Sequence, residues 1–281
     1  MNLSEIKRLM GRRASSHKGE NGRVLVVGGS QDYSGTLVLV GVAALRAGAD
    51  IVTIAAPQRV AWAVNACSPD LITKKLTGKY LVPRHISDVK KLLPKFDVLE
   101  YGNGIGMHAK TWKFSKRLAE EARGMKKVID ADGIKQLSFS QLDRAIITPH
   151  EVELFLFLKN SGLEEIYEEK NKERRAKLLQ LHVGDNVLLI KGPTDYVISR
   201  SKIARVRGGN PGLTKAGTGD VLAGLCAGFY AQSGDAFSSA RAASVLNKRI
   251  GDLLLKKKRG YSFIASDILD EIERLSSKGL L

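Results

Sequence analysis

The chain has 281 residues, 43% hydrophobic and 26% charged, which allows one large domain with ample core and excludes a disordered chain. Its formal net charge of +16, from 45 Lys and Arg against 29 Asp and Glu, suits anionic partners in general. No apolar run reaches the roughly 20 residues of a membrane span and the basic start lacks the apolar stretch of a secretory signal, so a cytoplasmic protein with no membrane partner is expected.

Short runs, apolar throughout and bounded by turn residues, predict buried strands at 24–27, 51–55, 96–100, 128–129, 145–147 and 187–190. Between them the helical period covers 36–47 and 110–122, and a highly charged helix is expected over 163–181. This βαβα order predicts an α/β, three-layer αβα fold with a mostly parallel central sheet. The runs 196–199 and 203–206 flank a short polar link and predict an antiparallel hairpin at a sheet edge. Long helices follow at 220–232 and 236–255, then a last helix capped by Ser266, with Asp267, Asp270 and Glu271 near its positive end. No repeat or long linker divides the chain. A single domain over 1–281 is expected, with the residues up to 14 as a leader segment.

The basic residues form short scattered runs, at 74–75, 90–91, 126–127, 174–175 and 256–259, and read as a solvated surface. Aromatic residues are only 6% and are not interleaved with these runs, so no nucleic-acid partner is expected, and a basic nucleic-acid binder ranks well behind an enzyme. Neither Cys67 nor Cys226 has a ligand neighbour at zinc spacing, and both read as small core residues. None of the five histidines pairs with another at helical spacing, so no protein-held metal site is expected.

In open parallel sheets ligands bind beyond the carboxyl ends of the strands. Here successive strand ends carry reactive or flexible residues: Gly28-Gly29, Gly102-Asn103-Gly104, Asp130-Ala131-Asp132, Thr148-Pro149-His150 with Glu153, and Lys191-Gly192-Pro193-Thr194-Asp195. For His150 a satisfied loop histidine and a ligand-facing one fit the spacing equally. The strongest segment runs from Gly208 to Gly224, a glycine-rich turn feeding an apolar helix with Asp220 in its first turn. Free N–H groups at such a terminus form an anion site, and Gly217 and Gly219 let the main chain approach phosphate oxygens. Asp220 would then orient or deprotonate an attacking hydroxyl beside a transferring phosphoryl group. A helix-favouring acid explains Asp220 alone but not the glycines before it. The stretch from Gly104 to Ala109 also fits a loose dinucleotide fingerprint, and it misses a Walker A because Ala109 stands where glycine is required.

Together these pieces resemble the ADP-dependent NAD(P)H-hydrate dehydratases of the ribokinase-like superfamily. The resemblance rests on His17-Lys18-Gly19, residues 43–48, residues 130–132, Thr148-Pro149-His150 with Glu153, Lys191-Gly192, Asn210-Pro211-Gly212, and Gly217-Thr218-Gly219-Asp220 through Gly224, in the family's order. Gly-Thr-Gly-Asp alone is shared with hydroxyethylthiazole kinase, whose small-molecule kinase chemistry is the alternative. The chain departs from the family pattern at Asn103, which replaces the proline of Gly-Pro-Gly, at Glu151-Val152, at Thr36 and at Lys215-Ala216.

The resemblance implies a lyase that repairs NADHX and NADPHX. ADP phosphorylates the hydroxyl of the hydrated ring, AMP is released, and elimination of phosphate restores NADH or NADPH. It places catalysis on Asp220, Gly217 and Gly219, with N–H groups of 216–219 facing the transferred phosphoryl group. The hydrated cofactor falls near Thr36, Gly104, His150 and Asp220. The adenine nucleotide falls near Lys191, Gly192, Pro193, Thr194, Asp195 and Gly219. Mg2+ is implied as a bridge between phosphate oxygens, with Glu153 behind it. A homo-oligomer such as a tetramer is implied, and, with about a dozen residues before the motifs, no epimerase domain, that activity falling to a separate chain.

Overall fold

Val24, Leu25, Val26 and Val27 are wholly buried, as a strand covered on both faces requires, and they belong to β1 (Arg23–Val27), an interior strand of the sheet. The computed structural model describes residues 1–258 and 260–281. In chain order its elements are α1 (Leu3–Leu9), β1, α2 (Gly35–Arg46), β2 (Ile51–Pro57), α3 (Gln58–Cys67), β3 (Ile72–Leu76), α4 (Ile86–Lys90), β4 (Val98–Tyr101), α5 (Ala109–Glu121), β5 (Lys126–Ile129), α6 (Asp132–Gln136) and β6 (Ala145–Ile147). The second half adds α7 (Glu151–Asn160), α8 (Glu164–Tyr167), α9 (Lys172–Gln180), β7 (Val187–Ile190), β8 (Asp195–Ile198), β9 (Ile203–Val206), α10 (Thr218–Ser233), α11 (Ala236–Lys257) and α12 (Ala265–Ser277).

The strands form one nine-stranded sheet in the order β3-β2-β1-β4-β5-β6-β7-β8-β9. Strands β1 to β7 pair in parallel, and the β8–β9 hairpin closes the far edge antiparallel. One apolar layer packs α2, α3, α10, α11 and α12 on the sheet, and a second packs α5, α6, α7 and α9 on the other face. The fold is therefore the three-layer, mostly parallel α/β arrangement expected. Helices α2 and α10 cross so closely that a Cβ at Gly224 would collide with the Val40 carbonyl, and only glycine fits there.

Four local readings need correction. The charged stretch 163–181 is two helices, because the Asn171 side chain accepts from the N–H groups of Glu173 and Arg174 and starts α9 afresh. Helix α12 begins at Ala265, and it is Asp267, not Ser266, that accepts the Ile264 N–H at 2.8 Å. Cys226 is buried in α10, but Cys67, at the end of α3, is exposed. Nor are the basic runs all solvated. Lys127 is wholly buried, with its ammonium on Asp143 and two carbonyls, and Arg175 is buried against Glu151. Near the N-terminus, α1 places Ile6 wholly inside the first layer. Strand β3 carries no apolar run; it is the sheet's other edge, where Lys74 and Lys75 discourage pairing with another chain.

The chain lays β1, β2 and β3 in one direction across the sheet and β4 onward in the other, so the order reverses between β1 and β4. Beyond that point the strand-end loops part and leave a crevice. The Gly29 N–H donates to the Asn103 carbonyl at 2.9 Å and ties the two loops at its base.

Candidate active site

Loops from β5, β6 and β7, the segment after β9 and the turn before α10 surround a cavity of about 700 Å³. Its wall includes Asp130, His150, Glu153, Lys191, Gly192, Pro193, Asp195, residues 215–220, Asn247 and Lys248. Asp130, at the end of β5, is the hub. One carboxylate oxygen accepts from the Thr148 hydroxyl at 2.6 Å and the Lys191 ammonium at 3.0 Å, and the other accepts from the Asn103 amide at 2.9 Å. The same Asn103 amide nitrogen donates to Asp220 at 2.6 Å. One side chain thus spaces two carboxylates that would otherwise repel each other.

The turn before α10 is built to present bare main chain. Gly217 has φ +90, and a Cβ there would press on Leu39 and Ala265 at 2.7 and 2.9 Å, so glycine is required. No side chain caps α10, and among the described residues the N–H groups of Gly217, Gly219 and Asp220 have no partner. The helix dipole adds to their attraction for an anion. Lys215 is turned away from this duty: its ammonium holds the carbonyls of Tyr261 and Phe263.

Burial lifts the Asp220 carboxyl above the usual carboxylate range, while hydrogen bonds from Thr36 and Asn103 pull the other way. Burial also lifts Glu153, against the opposing pull of Lys191. Lys191 itself loses solvation, but Asp130 and Glu153, 3.0 and 3.6 Å away, outweigh that and hold it firmly protonated. Beneath this set Glu100 of β4 is wholly buried, and neither of its oxygens has a partner among the described residues. Burial, with repulsion from Asp130 and Asp220, pushes it well above the carboxylate range, which favours its protonated form.

Of the residues singled out in the sequence, Lys191, Gly192, Pro193, Asp195, His150, Gly217, Gly219 and Asp220 line this one cavity. Thr194 does not, although it sits in the same loop. Thr36 and Gly104 stand apart from the wall and touch each other, with Thr36 reaching Asp220. His150, grouped with them by the resemblance, is instead on the cavity side. It caps α7, its Nδ1 accepting the Glu153 N–H at 3.3 Å and its own N–H donating to Glu153 at 3.0 Å. Asp195 accepts from the Gly192 N–H and the Ser244 hydroxyl and pairs with Lys248 at 3.2 Å. Lys248 in turn donates to the carbonyls of Gly192, Pro193 and Gly208, so this pair holds two walls of the cavity together.

Sequence reasoning did not assign Asn103, Lys248 or Asn247 to the site. Lys248 and Asn247 lie mid-helix with no local signal. Asn103 stood in view as the residue between two glycines, and Glu100 as a charge ending an otherwise apolar strand. Among the described residues no group of three or more His, Cys, Asp or Glu side chains is placed to hold a metal ion. No helix among them is long and apolar enough to cross a membrane.

Comparison with known proteins places this arrangement. The sequence model of the NAD(P)H-hydrate dehydratase family matches residues 24–274. The chain is 36% identical, over 99% of its length and 54% of the relative's, to the bifunctional NAD(P)H-hydrate repair enzyme Nnr of Methanothermobacter thermautotrophicus. It is 32% identical, over 93% of its length and 90% of the relative's, to an ADP-dependent (S)-NAD(P)H-hydrate dehydratase of Nitrosopumilus maritimus. The Bacillus subtilis ADP/ATP-dependent NAD(P)H-hydrate dehydratase crystallised with ATP and Mg2+ has the same fold, with TM-score 0.79 at 20% identity over 99% of this chain and 97% of that one. The chain spans about half the length of the bifunctional curated relatives it matches. With its glycine turn, bridged carboxylates and three-layer fold, it belongs to the NAD(P)H-hydrate dehydratase family.

Proposed function

We propose that the protein dehydrates NADHX and NADPHX to NADH and NADPH at the expense of ADP. One observation carries the reading: Asp220, held by the Asn103 amide, stands in the first turn of an uncapped helix that opens onto the 700 Å³ cavity. A carboxylate raised by burial is suited to take a proton, and the neighbouring free N–H groups are suited to an oxyanion.

The residues fit an adenine nucleotide. Pro193, Pro211, Leu213 and Leu222 give the cavity apolar surface, and Asn247 Oδ1, buried without a partner, is an acceptor that the amino group of a base would satisfy. Phosphates suit the free N–H groups of Gly217, Gly219 and Asp220. Lys191, already paired with Asp130 and Glu153, adds little net charge. A magnesium ion would neutralise phosphate charge and take most of its ligands from phosphate oxygens and water, with Asp130 and Glu153 as the nearby carboxylates.

Asp220 orients the hydroxyl of the hydrated ring and takes its proton as the oxygen attacks the terminal phosphorus of ADP. The bond to the bridging oxygen breaks, AMP leaves, and the N–H groups of Gly217, Gly219 and Asp220 stabilise the transferring phosphoryl charge. Hydroxide is a poor leaving group and phosphate a good one. The ring nitrogen's lone pair expels phosphate, and a proton lost from the adjacent carbon restores the dihydropyridine. Thr36 and Gly104, next to Asp220 but off the cavity wall, border the space left for the hydrated ring.

Incubation of the purified protein with NADHX, ADP and Mg2+ tests this. Return of the dihydronicotinamide absorbance, with AMP and phosphate in equal amounts, is expected. A stable phosphate ester with no recovered absorbance would assign the site to a small-molecule kinase instead.

A further inference from the structure

A second concavity, of about 340 Å³, lies where the β9 edge meets α11. Arg205 and Arg207 reach it from the edge strand and the residue just beyond it, and Arg241 and Arg249 from α11. Arg241, Val245 and Arg249 are spaced i, i+4, i+8, so they share one helix face. Their two arginines are about 12 Å apart along the axis.

Among the described residues Arg207, Arg241 and Arg249 enter no ion pair, and the Arg205–Glu173 pair joins two half-exposed side chains and is correspondingly weak. The carboxylates at hand are engaged elsewhere. Asp252, on the pocket wall, accepts from the Gly209 N–H at 3.0 Å and the Asn210 amide at 3.3 Å. Glu5, whose charge feels Arg241, accepts the Asn2 N–H at 2.6 Å. Four guanidiniums therefore share one wall carboxylate, Asp252, and one exposed partner, Glu173, which leaves the pocket with a surplus of positive charge.

Guarding a sheet edge explains Arg205 and Arg207 but not the two arginines on the helix. The residue type is also selective. Lysines outnumber arginines 26 to 19 in the chain, yet every basic side chain on this wall is arginine, whose planar fork binds phosphate through two hydrogen bonds. The wall carries no aromatic ring on which a base would stack. We propose that this pocket is a second ligand site, distinct from the Asp220 cavity, that binds a chain of phosphates, either free or as the tail of a nucleotide.

Calorimetric titration of the full chain with inorganic tripolyphosphate, and separately with ADP, tests it. The wild type should bind one more equivalent of tripolyphosphate than R241A/R249A, or the same equivalent more than tenfold tighter. This difference should shrink as salt is raised. The same difference with ADP would identify a nucleotide tail as the ligand; a difference with tripolyphosphate alone would identify the free chain. R241K/R249K, which keeps charge and packing, should retain the equivalent at reduced affinity and so separates loss of the fork from loss of the fold. Equal stoichiometry and affinity in wild type and R241A/R249A, for both ligands, would overturn the proposal. Dehydration is not read, so this result stands apart from the fate of the dehydratase reading.

Discussion

The Asp220 cavity and the arginine pocket meet through Asp252, a wall residue of the pocket that accepts from Gly209 and Asn210 of the cavity wall, and they handle charge in opposite ways. In the cavity the two ammoniums that face carboxylates are matched, and Lys215 is held by main-chain carbonyls. Lys191 lies between Asp130 and Glu153, and Lys248 meets Asp195. In the pocket, among the described residues, Arg207, Arg241 and Arg249 enter no ion pair, and positive charge is in surplus. The difference follows from burial. A cation inside the molecule must be paired or it costs several kcal/mol, whereas one in a solvated concavity can wait for a mobile anion. Matched charges position reacting groups; unmatched ones attract.

The largest effect expected from breaking this contrast is at Asp220. Asp220→Asn should retain the fold and lose roughly 10²- to 10⁴-fold in turnover of the hydrate, because the amide cannot take the proton. Turnover near that of the wild type would remove Asp220 from the role of base. The next effect compares neighbours on α11. Lys248→Ala leaves Asp195 buried and uncompensated and should lower unfolding stability by about 3 kcal/mol. Arg249→Ala, one residue on but exposed and unpaired, should change it by less than about 0.5 kcal/mol. Equal losses in a urea melt would erase the distinction between the two regions.

A subtler effect is expected at Asn103. The base must be ionised to act, and the Asn103 hydrogen bond favours its ionised form. Asn103→Ala should therefore move the acid limb of the kcat/KM profile to higher pH, and an unmoved limb would deny the bridge any part in tuning Asp220. The smallest is at Glu100. In the unfolded chain this carboxyl ionises in the ordinary carboxylate range, but in the fold it keeps its proton to a much higher pH. Its contribution to stability is full below the ordinary value and is lost as pH rises towards the folded one. Glu100→Gln cannot ionise, so its Tm should fall less steeply from acidic to alkaline pH. Parallel curves for the two proteins would place Glu100 in contact with solvent or a cation.

Much of the fold was legible because the parallel strands are short apolar runs that end in glycine, acid or proline. The elements missed lack that pattern. β3 is an edge strand with lysines on its open side, and α1 and α3 are short helices of mixed composition. The split between α8 and α9 turned on one asparagine competing for main-chain N–H groups, a local choice that the surrounding charge pattern hid. At the site the glycine turn and Asp220 were legible because both lie in one segment. The Asn103 bridge was not, since its partners are 27 and 117 residues away. Asp195, which the resemblance sets beside the nucleotide, lines the cavity with its carboxylate bound by Gly192, Ser244 and Lys248.

From its residue order alone this protein has a parallel α/β architecture and a glycine-rich helix start with an acid behind it, since both depend on neighbours close along the chain. Which charges are paired and which are left free was decided by the tertiary fold. Coulomb interactions and desolvation depend on distance and burial in space, and only folding brings Asn103 between Asp130 and Asp220, or gathers four arginines from a strand edge and a helix around a single wall carboxylate.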